Sequence, residues 1–213
     1  MAFIETIPDT DIDADVRAMY QRQQAHWGFV PNYAKVFSHR PEIMGLWAQL
    51  QVGIKRHMDK RRFELVTFAA AHTLRSTLCT LAHGKALTAF FSEEDVEAMA
   101  RCAVPRSLTD AEAAMMTFAR KVARGAFLVT ASDVEQLKQH GFTDAEVFDI
   151  TATVAARAFW TSVIEALGVE AEPPFLEFEE HFRKALTVGR PIVTLEESAA
   201  PRSPGNGAHP HAS

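Results

Sequence analysis

Cysteine is nearly missing from this chain. The two that occur among 213 residues, Cys79 and Cys102, are too few for the disulfide framework of a small secreted protein. Surplus positive charge is missing too. Acidic side chains (27) outnumber lysines and arginines (22), giving a net charge of -5. No basic field faces a phosphate backbone or an anionic bilayer, which argues against nucleic acid or a membrane surface as partner. No apolar run approaches the roughly 18 residues of a membrane span. The opening Met1-Ala2-Phe3-Ile4-Glu5 lacks the basic and apolar regions of a secretory signal, so a cytoplasmic location is expected. What is present is ordinary for a globular domain: 47% hydrophobic and 23% charged residues, enough chain for one sizeable core.

Alternating strand patterns are almost absent, whereas helix punctuation recurs. Ser92 to Asp95, Thr109 to Glu112, Ser132 to Glu135 and Thr143 to Glu146 each set a hydroxyl three residues before an acid, the pattern of a capping box opening a helix. Gly125, Gly141 and Gly168 follow periodic segments, where a left-handed C-terminal residue is expected. Further helices are predicted over about 13–26, 41–58, 60–73 and 76–90, with Pro41 in a first turn and a turn at Gly28 to Asn32 around Pro31. Segments such as Ala114 to Val122 and Val147 to Val154 carry apolar residues at helical spacing, so the fold class is all-α. A short amphipathic helix over 175–186 closes a single domain of residues 1–187, packed on its own core or on another subunit. Residues 188–213 read as an extended or disordered tail, its end rich in Ala, Pro, Ser and Gly.

The chemistry-bearing stretch is Ser76-Thr77-Leu78-Cys79-Thr80-Leu81-Ala82-His83, preceded by Glu64: an acid, a hydroxyl, a thiol and an imidazole spaced as a proton relay serving one sulfur, which makes Glu64, Ser76, Cys79 and His83 the catalytic candidates. On a helix Cys79 and His83 stand at i and i+4, roughly 6 Å apart along one face. Such an imidazole can take the thiol proton or stabilise the thiolate, the form that is nucleophilic and oxidisable. If Ser76 is the N-cap, Cys79 sits in the first turn, where unpaired amides and the helix dipole also favour negative charge. Fifteen residues of unbroken helix would hold Glu64 roughly 22 Å from Cys79. A relay that includes Glu64 therefore needs a chain reversal, for which Ala71 to Ser76 is the one candidate, with Thr73 and Ser76 available as caps. Without it, Cys79 is a small buried residue and Glu64 a solvated one.

These residues resemble the alkyl hydroperoxidase D-like family, which includes carboxymuconolactone decarboxylases and peroxidase-related proteins. Its motif is Glu, eleven residues, Cys-x-x-Cys, three residues, His. Glu64 and His83 match in position and type, and Cys79 matches the second cysteine. Ser76 stands where the first would be. The flanks Gly28 to Asn32, Arg40-Pro41-Glu42, Val129 to Asp133 and His140 to Glu146 resemble the peroxidase-related branch, and the likeness runs over about residues 5 to 170. The resemblance implies an all-helical fold, a break between Glu64 and the thiol helix, and homo-oligomers, trimeric or hexameric. It also implies a catalytic set in which Cys79 attacks peroxide while His83 and Glu64 relay its proton. A serine cannot close the family's disulfide, so an oxidised Cys79 would need an external thiol reductant. The expected substrate is a small hydroperoxide. A carboxylated or lactone substrate handled by Glu64 and His83 as an acid/base pair is the alternative, and an inactive ligand- or metal-binding oligomer a third.

Other groups admit two readings each. Cys102 serves as a resolving thiol or as a packing residue near a helix C-terminus. His72 with Glu64, Cys79 and His83 offers mixed ligands for a first-row metal, but the spacing matches no standard zinc pattern; no metal and no cofactor is expected. Trp27, Trp47, Trp160, Phe29, Phe37 and Phe159 line an apolar pocket or fill the core, with Tyr20 and Tyr33 as polar handles near the same turn. His209 and His211 lie in the tail.

Overall fold

A computed structural model describes residues 2–194; the tail beyond, with His209 and His211, lies outside the described residues. Ten α-helices are formed there: α1 Ala14–Trp27, α2 Asn32–Val36, α3 Pro41–Lys55, α4 Lys60–Thr73, α5 Thr77–Leu87, α6 Glu93–Ala100, α7 Asp110–Arg124, α8 Ala131–Gln139, α9 Asp144–Ala166 and α10 Glu180–Leu186. Among the described residues the one β-type pairing is an isolated parallel bridge between Ala171 and Ile192. The protein is all-α.

Helix α4 occupies the centre, packed by α5, α7 and α9. Its middle is apolar on every side, Leu65, Val66, Phe68, Ala69, Ala70 and Ala71 all being fully buried, as a helix enclosed by neighbours must be. Two arginines in its first turn reach the starts of its neighbours. Arg61 grips Glu112 of α7 through Nε at 2.6 Å and Nη2 at 3.0 Å, and Arg62 meets Glu146 of α9 at 3.0 Å. Glu112 and Glu146 are also the acids of the Thr109 and Thr143 capping boxes, so each carboxylate both caps a helix and orients it on α4. Helix α9 is long and apolar enough to cross a membrane by length and composition, yet half of its most apolar window is buried in the protein. Its contacts with α3, α4 and α7 make it a core helix.

Three details depart from the sequence reading. Helix α8 begins at Ala131, and the acid that reaches back is Asp133, whose Oδ2 accepts the Thr130 amide at 2.7 Å, rather than a box from Ser132 to Glu135. Gly125 has φ 172°, extended backbone open to any residue. The segment expected as one helix over 175–186 is split into a 3-10 turn, Pro173–Glu177, and α10, because Phe178 and Glu179 adopt non-helical angles between them.

Helix α10 packs on α5 and α6 within the same chain, with Phe182 and Leu186 fully buried. The chain then crosses the start of α5. The Gly189 amide donates to Thr77 Oγ1 at 2.9 Å, Arg190 Nη2 to Glu165 O at 3.0 Å, and the Val193 amide to Ala171 O at 3.0 Å. This strap runs so close to the turn before α5 that a Cβ on Gly189 would collide with the Arg75 carbonyl oxygen. Gly189→Ala is therefore expected to lower stability by about 1–3 kcal/mol, the usual cost of overpacking. Urea unfolding checks it, and an unchanged midpoint would show that the strap lifts freely.

Candidate thiol site

The reversal that the relay requires is present. Helix α4 ends in a Schellman motif: the Ser76 amide donates to Ala71 O at 3.1 Å and the Arg75 amide to His72 O at 3.1 Å, with Arg75 left-handed at φ 58°. Glycine is the usual occupant of that position. Thr73 caps nothing, its hydroxyl donating back to Ala69 O at 2.8 Å. Ser76 occupies the N-cap position of α5 with extended backbone but makes no side-chain capping bond. The two helices pack side by side, and Glu64 of α4 lands against His83 of α5.

His83 Nδ1 lies 2.6 Å from Glu64 Oε2, with both side chains largely enclosed. Burial alone would raise the Glu64 carboxyl. The His83 hydrogen bond and the charges of His83, Lys55 and Arg157 outweigh it and hold Glu64 below 4.5. Burial, joined by the charge of Arg157, holds His83 below 6.5 despite Glu64. At neutral pH the pair is thus carboxylate and neutral imidazole. An ionised carboxylate only accepts, so Nδ1 carries the hydrogen and Nε2 presents a lone pair: Glu64 sets the tautomer that makes His83 a base.

Cys79 is 3% exposed. Among the described residues, its sulfur's hydrogen-bond partner is not His83 but Nη1 of Arg157, at 3.5 Å. Arg157, on α9, is itself 5% exposed, and its guanidinium lies 5.6 Å from the centre of the Trp47 ring. The sequence reading missed this residue. A signal existed: Arg157 is the one charged side chain between Asp149 and Glu165, a cation in the middle of a core helix, where charges occur only with a partner or a task.

The aromatic residues sort into two groups. Trp160 stacks on Trp47 at 4.0 Å and on Phe37 at 5.0 Å and meets Tyr33 edge-on at 5.1 Å. Trp47 Nε1 donates to Ala156 O at 3.2 Å, which fixes its ring beside Arg157. Trp27 joins through its Nε1, which donates to Tyr33 Oη at 2.8 Å, and Tyr33 in turn donates to Gln23 Oε1 at 2.7 Å. Burial keeps the Tyr33 phenol protonated. Phe159 instead points outward, 44% exposed, and Tyr20 is buried in the main core.

Ser76 does not join the relay. Its hydroxyl is buried without a well-formed hydrogen bond and faces Glu165, whose carboxyl is raised by burial against the opposing effects of Ser76 and Arg190. Cys102 is exposed and left-handed at φ 58° in the Schellman motif that ends α6, and both cysteines are free. His72 sits at the end of α4 beside Phe68, held below 6.5 by burial and by Arg120 and Arg75. Among the described residues no three His, Cys, Asp or Glu side chains converge as metal ligands.

Solved structures with this architecture include a peroxidase-related protein from Ralstonia eutropha JMP134, an alkylhydroperoxidase AhpD core. It superposes with a TM-score of 0.67 at 22% identity, over 89% of this chain and 98% of that one. The chain has the alkyl hydroperoxidase D-like fold. A peroxidase-related protein from Silicibacter sp. TM1040 matches with a TM-score of 0.67 at 20% identity, over 79% of this chain and 90% of its own. A cysteine-to-alanine variant of the debrominase Bmp8, in complex with 2,3,4-tribromopyrrole, gives 0.65 at 13% identity, over 87% and 98%. No protein-family model and no curated protein matches the sequence.

Both members of the buried pair disfavour acid. His83 below 6.5 means that the unfolded chain takes up a proton first as pH falls through 6.5, so stability is lost from there down to the folded value. Glu64 below 4.5 adds a second loss as pH falls below 4.5. Urea midpoints are expected to fall as pH drops from 7 towards 5, and His83→Gln to flatten that decline. An equal slope in the variant would assign the loss to other groups, His72 first among them.

Proposed function

We propose that this chain is a one-cysteine thiol peroxidase of the alkyl hydroperoxidase D-like type, acting on organic hydroperoxides. The observation that carries the proposal is the Arg157 guanidinium 3.5 Å from the buried Cys79 sulfur, with the Glu64-oriented His83 one turn further along the same helix. His83 Nε2 takes the Cys79 proton, directly or through the bound hydroperoxide, leaving a thiolate beside Arg157. The thiolate attacks the terminal peroxide oxygen. The S–O bond forms as the O–O bond breaks, two electrons pass from sulfur, and the departing alkoxide takes the proton back from His83 to leave as an alcohol. Cys79 is then a sulfenic acid. One external thiol condenses with it to a mixed disulfide and releases water, and a second thiol frees Cys79 as a new disulfide leaves. Because Ser76 cannot supply that first thiol, the reductant comes from outside the site.

The setting follows from this chemistry. The protein belongs in the cytoplasm, where small thiols are kept reduced. It assembles as a trimer or hexamer through the apolar residues left exposed on α3 and α9, Leu46, Leu50, Phe148 and Phe159. Sedimentation analysis is expected to show an oligomer, and a monomer at micromolar concentration would remove that part of the reading.

The decisive measurement is rapid-mixing oxidation by cumene hydroperoxide, with dimedone trapping and mass spectrometry of the Cys79 peptide. Cys79→Ala abolishes the reaction, and His83→Ala slows it by about 100-fold or more, the typical contribution of a positioned base. No sulfenic acid in the wild type would overturn the proposal. So would full activity of Cys79→Ala on a carboxylated or lactone substrate, which would assign Glu64 and His83 to acid/base work without the sulfur.

A further inference from the structure

Arg157 is a cation without a full set of partners. Its side chain is 5% exposed, and among the described residues no carboxylate forms an ion pair with it. Among the described residues Nη1 reaches Cys79 Sγ at 3.5 Å, Nε is buried with no hydrogen-bond partner, and no hydrogen bond is formed by Nη2. Burying a guanidinium this way is strongly unfavourable unless an anion or a set of acceptors meets it. Compare Arg61, whose Nε and Nη2 are both occupied by one carboxylate. The face of Trp47 offsets part of the cost and holds the guanidinium plane, with Trp47 itself clamped by Trp160 and the Ala156 carbonyl. The arrangement keeps a rigid, under-coordinated cation against the reactive sulfur.

We propose that Arg157 is a catalytic residue of the thiol site: Nη1 holds negative charge on Cys79 Sγ, and Nη2 receives the charge that passes to the leaving oxygen. In the step written above, charge moves from sulfur to the alkoxide oxygen as the S–O bond forms and the O–O bond breaks. A planar guanidinium spans both ends of that movement with two nitrogens on one carbon, which the point charge of a lysine does not. Donors already fixed where charge develops need no reorganisation at the moment of reaction. His83 supplies the proton that completes the alcohol, so base and cation divide the work, one holding the proton and the other the charge. This inference rests on the peroxidase reading for its leaving group, but the placement of a cation against Cys79 can be tested without it.

Two measurements on the full-length protein decide the matter. In the first, Cys79 oxidation by cumene hydroperoxide is compared in wild type, Arg157→Met and Arg157→Lys. The Met variant is expected to react about 100-fold more slowly or worse, the usual effect of removing an oxyanion donor, with the Lys variant intermediate. In the second, the Cys79 peptide is followed by mass spectrometry during alkylation with anionic iodoacetate and neutral iodoacetamide. Wild type is expected to favour iodoacetate more strongly than Arg157→Met does, whereas a purely structural role would change both rates by the same factor. An unchanged alkylation ratio, or an oxidation rate in the Met variant within twofold of wild type, overturns the proposal. If circular dichroism shows that the Met variant is unfolded, the Lys variant decides, and a wild-type oxidation rate in it overturns the proposal. If wild type resists the hydroperoxide, the peroxidase reading fails while the alkylation ratio still settles the place of Arg157.

Discussion

The left-handed turn at Arg75 is the constraint on which the site depends. Continuous helix would hold Glu64 and Cys79 roughly 22 Å apart along one axis; the Schellman ending of α4 folds α5 back against it and brings Glu64 Oε2 to 2.6 Å from His83. One residue in a left-handed conformation thus converts a linear motif into a cluster. The conformation costs about 1–3 kcal/mol at a residue with a side chain, and the packing of α5 on α4, with α10 packed on α5 and the strap across the start of α5, offsets it.

The site that results has two sides. On α4 and α5 an acid orients a base by a short hydrogen bond between buried partners. On α9, packed against α4 from another direction, a cation reaches the same sulfur. Neither side is complete alone: His83 makes no hydrogen bond of its own to Cys79, and Arg157 takes no proton. Arg62, in the first turn of α4, also meets Glu146 at the start of α9, so the helix that carries Arg157 is tied to the helix that carries Glu64 by an ion pair as well as by packing.

Much of the architecture is legible in the sequence. Capping boxes at Thr109 and Thr143 work because a hydroxyl and an acid three residues apart satisfy both ends of a first turn, a local effect that needs no knowledge of the rest. The break near Arg75 was legible as a requirement, though its form was not, since left-handed backbone at an arginine carries no compositional mark. Helix α8 began two residues early because Asp133 satisfies the Thr130 amide as well as a glutamate would. Arg157 escaped notice for a different reason. Spacing arguments compare residues near one another in sequence, and the contact from Arg157 to Cys79 spans 78 positions. Ser76 is the opposite case: its place in the motif points to chemistry, whereas its buried hydroxyl faces Glu165.

The strap across the start of α5 bears on when this site comes into being during synthesis. Gly189 bonds to Thr77 across 112 residues of chain, so the thiol helix leaves the ribosome long before the segment that pins its first turn. Until then the turn at Arg75 rests on its own Schellman bonds and on the packing of α5 against α4. The nascent protein therefore carries its thiol helix for a further 112 residues before the bond that pins its first turn can form.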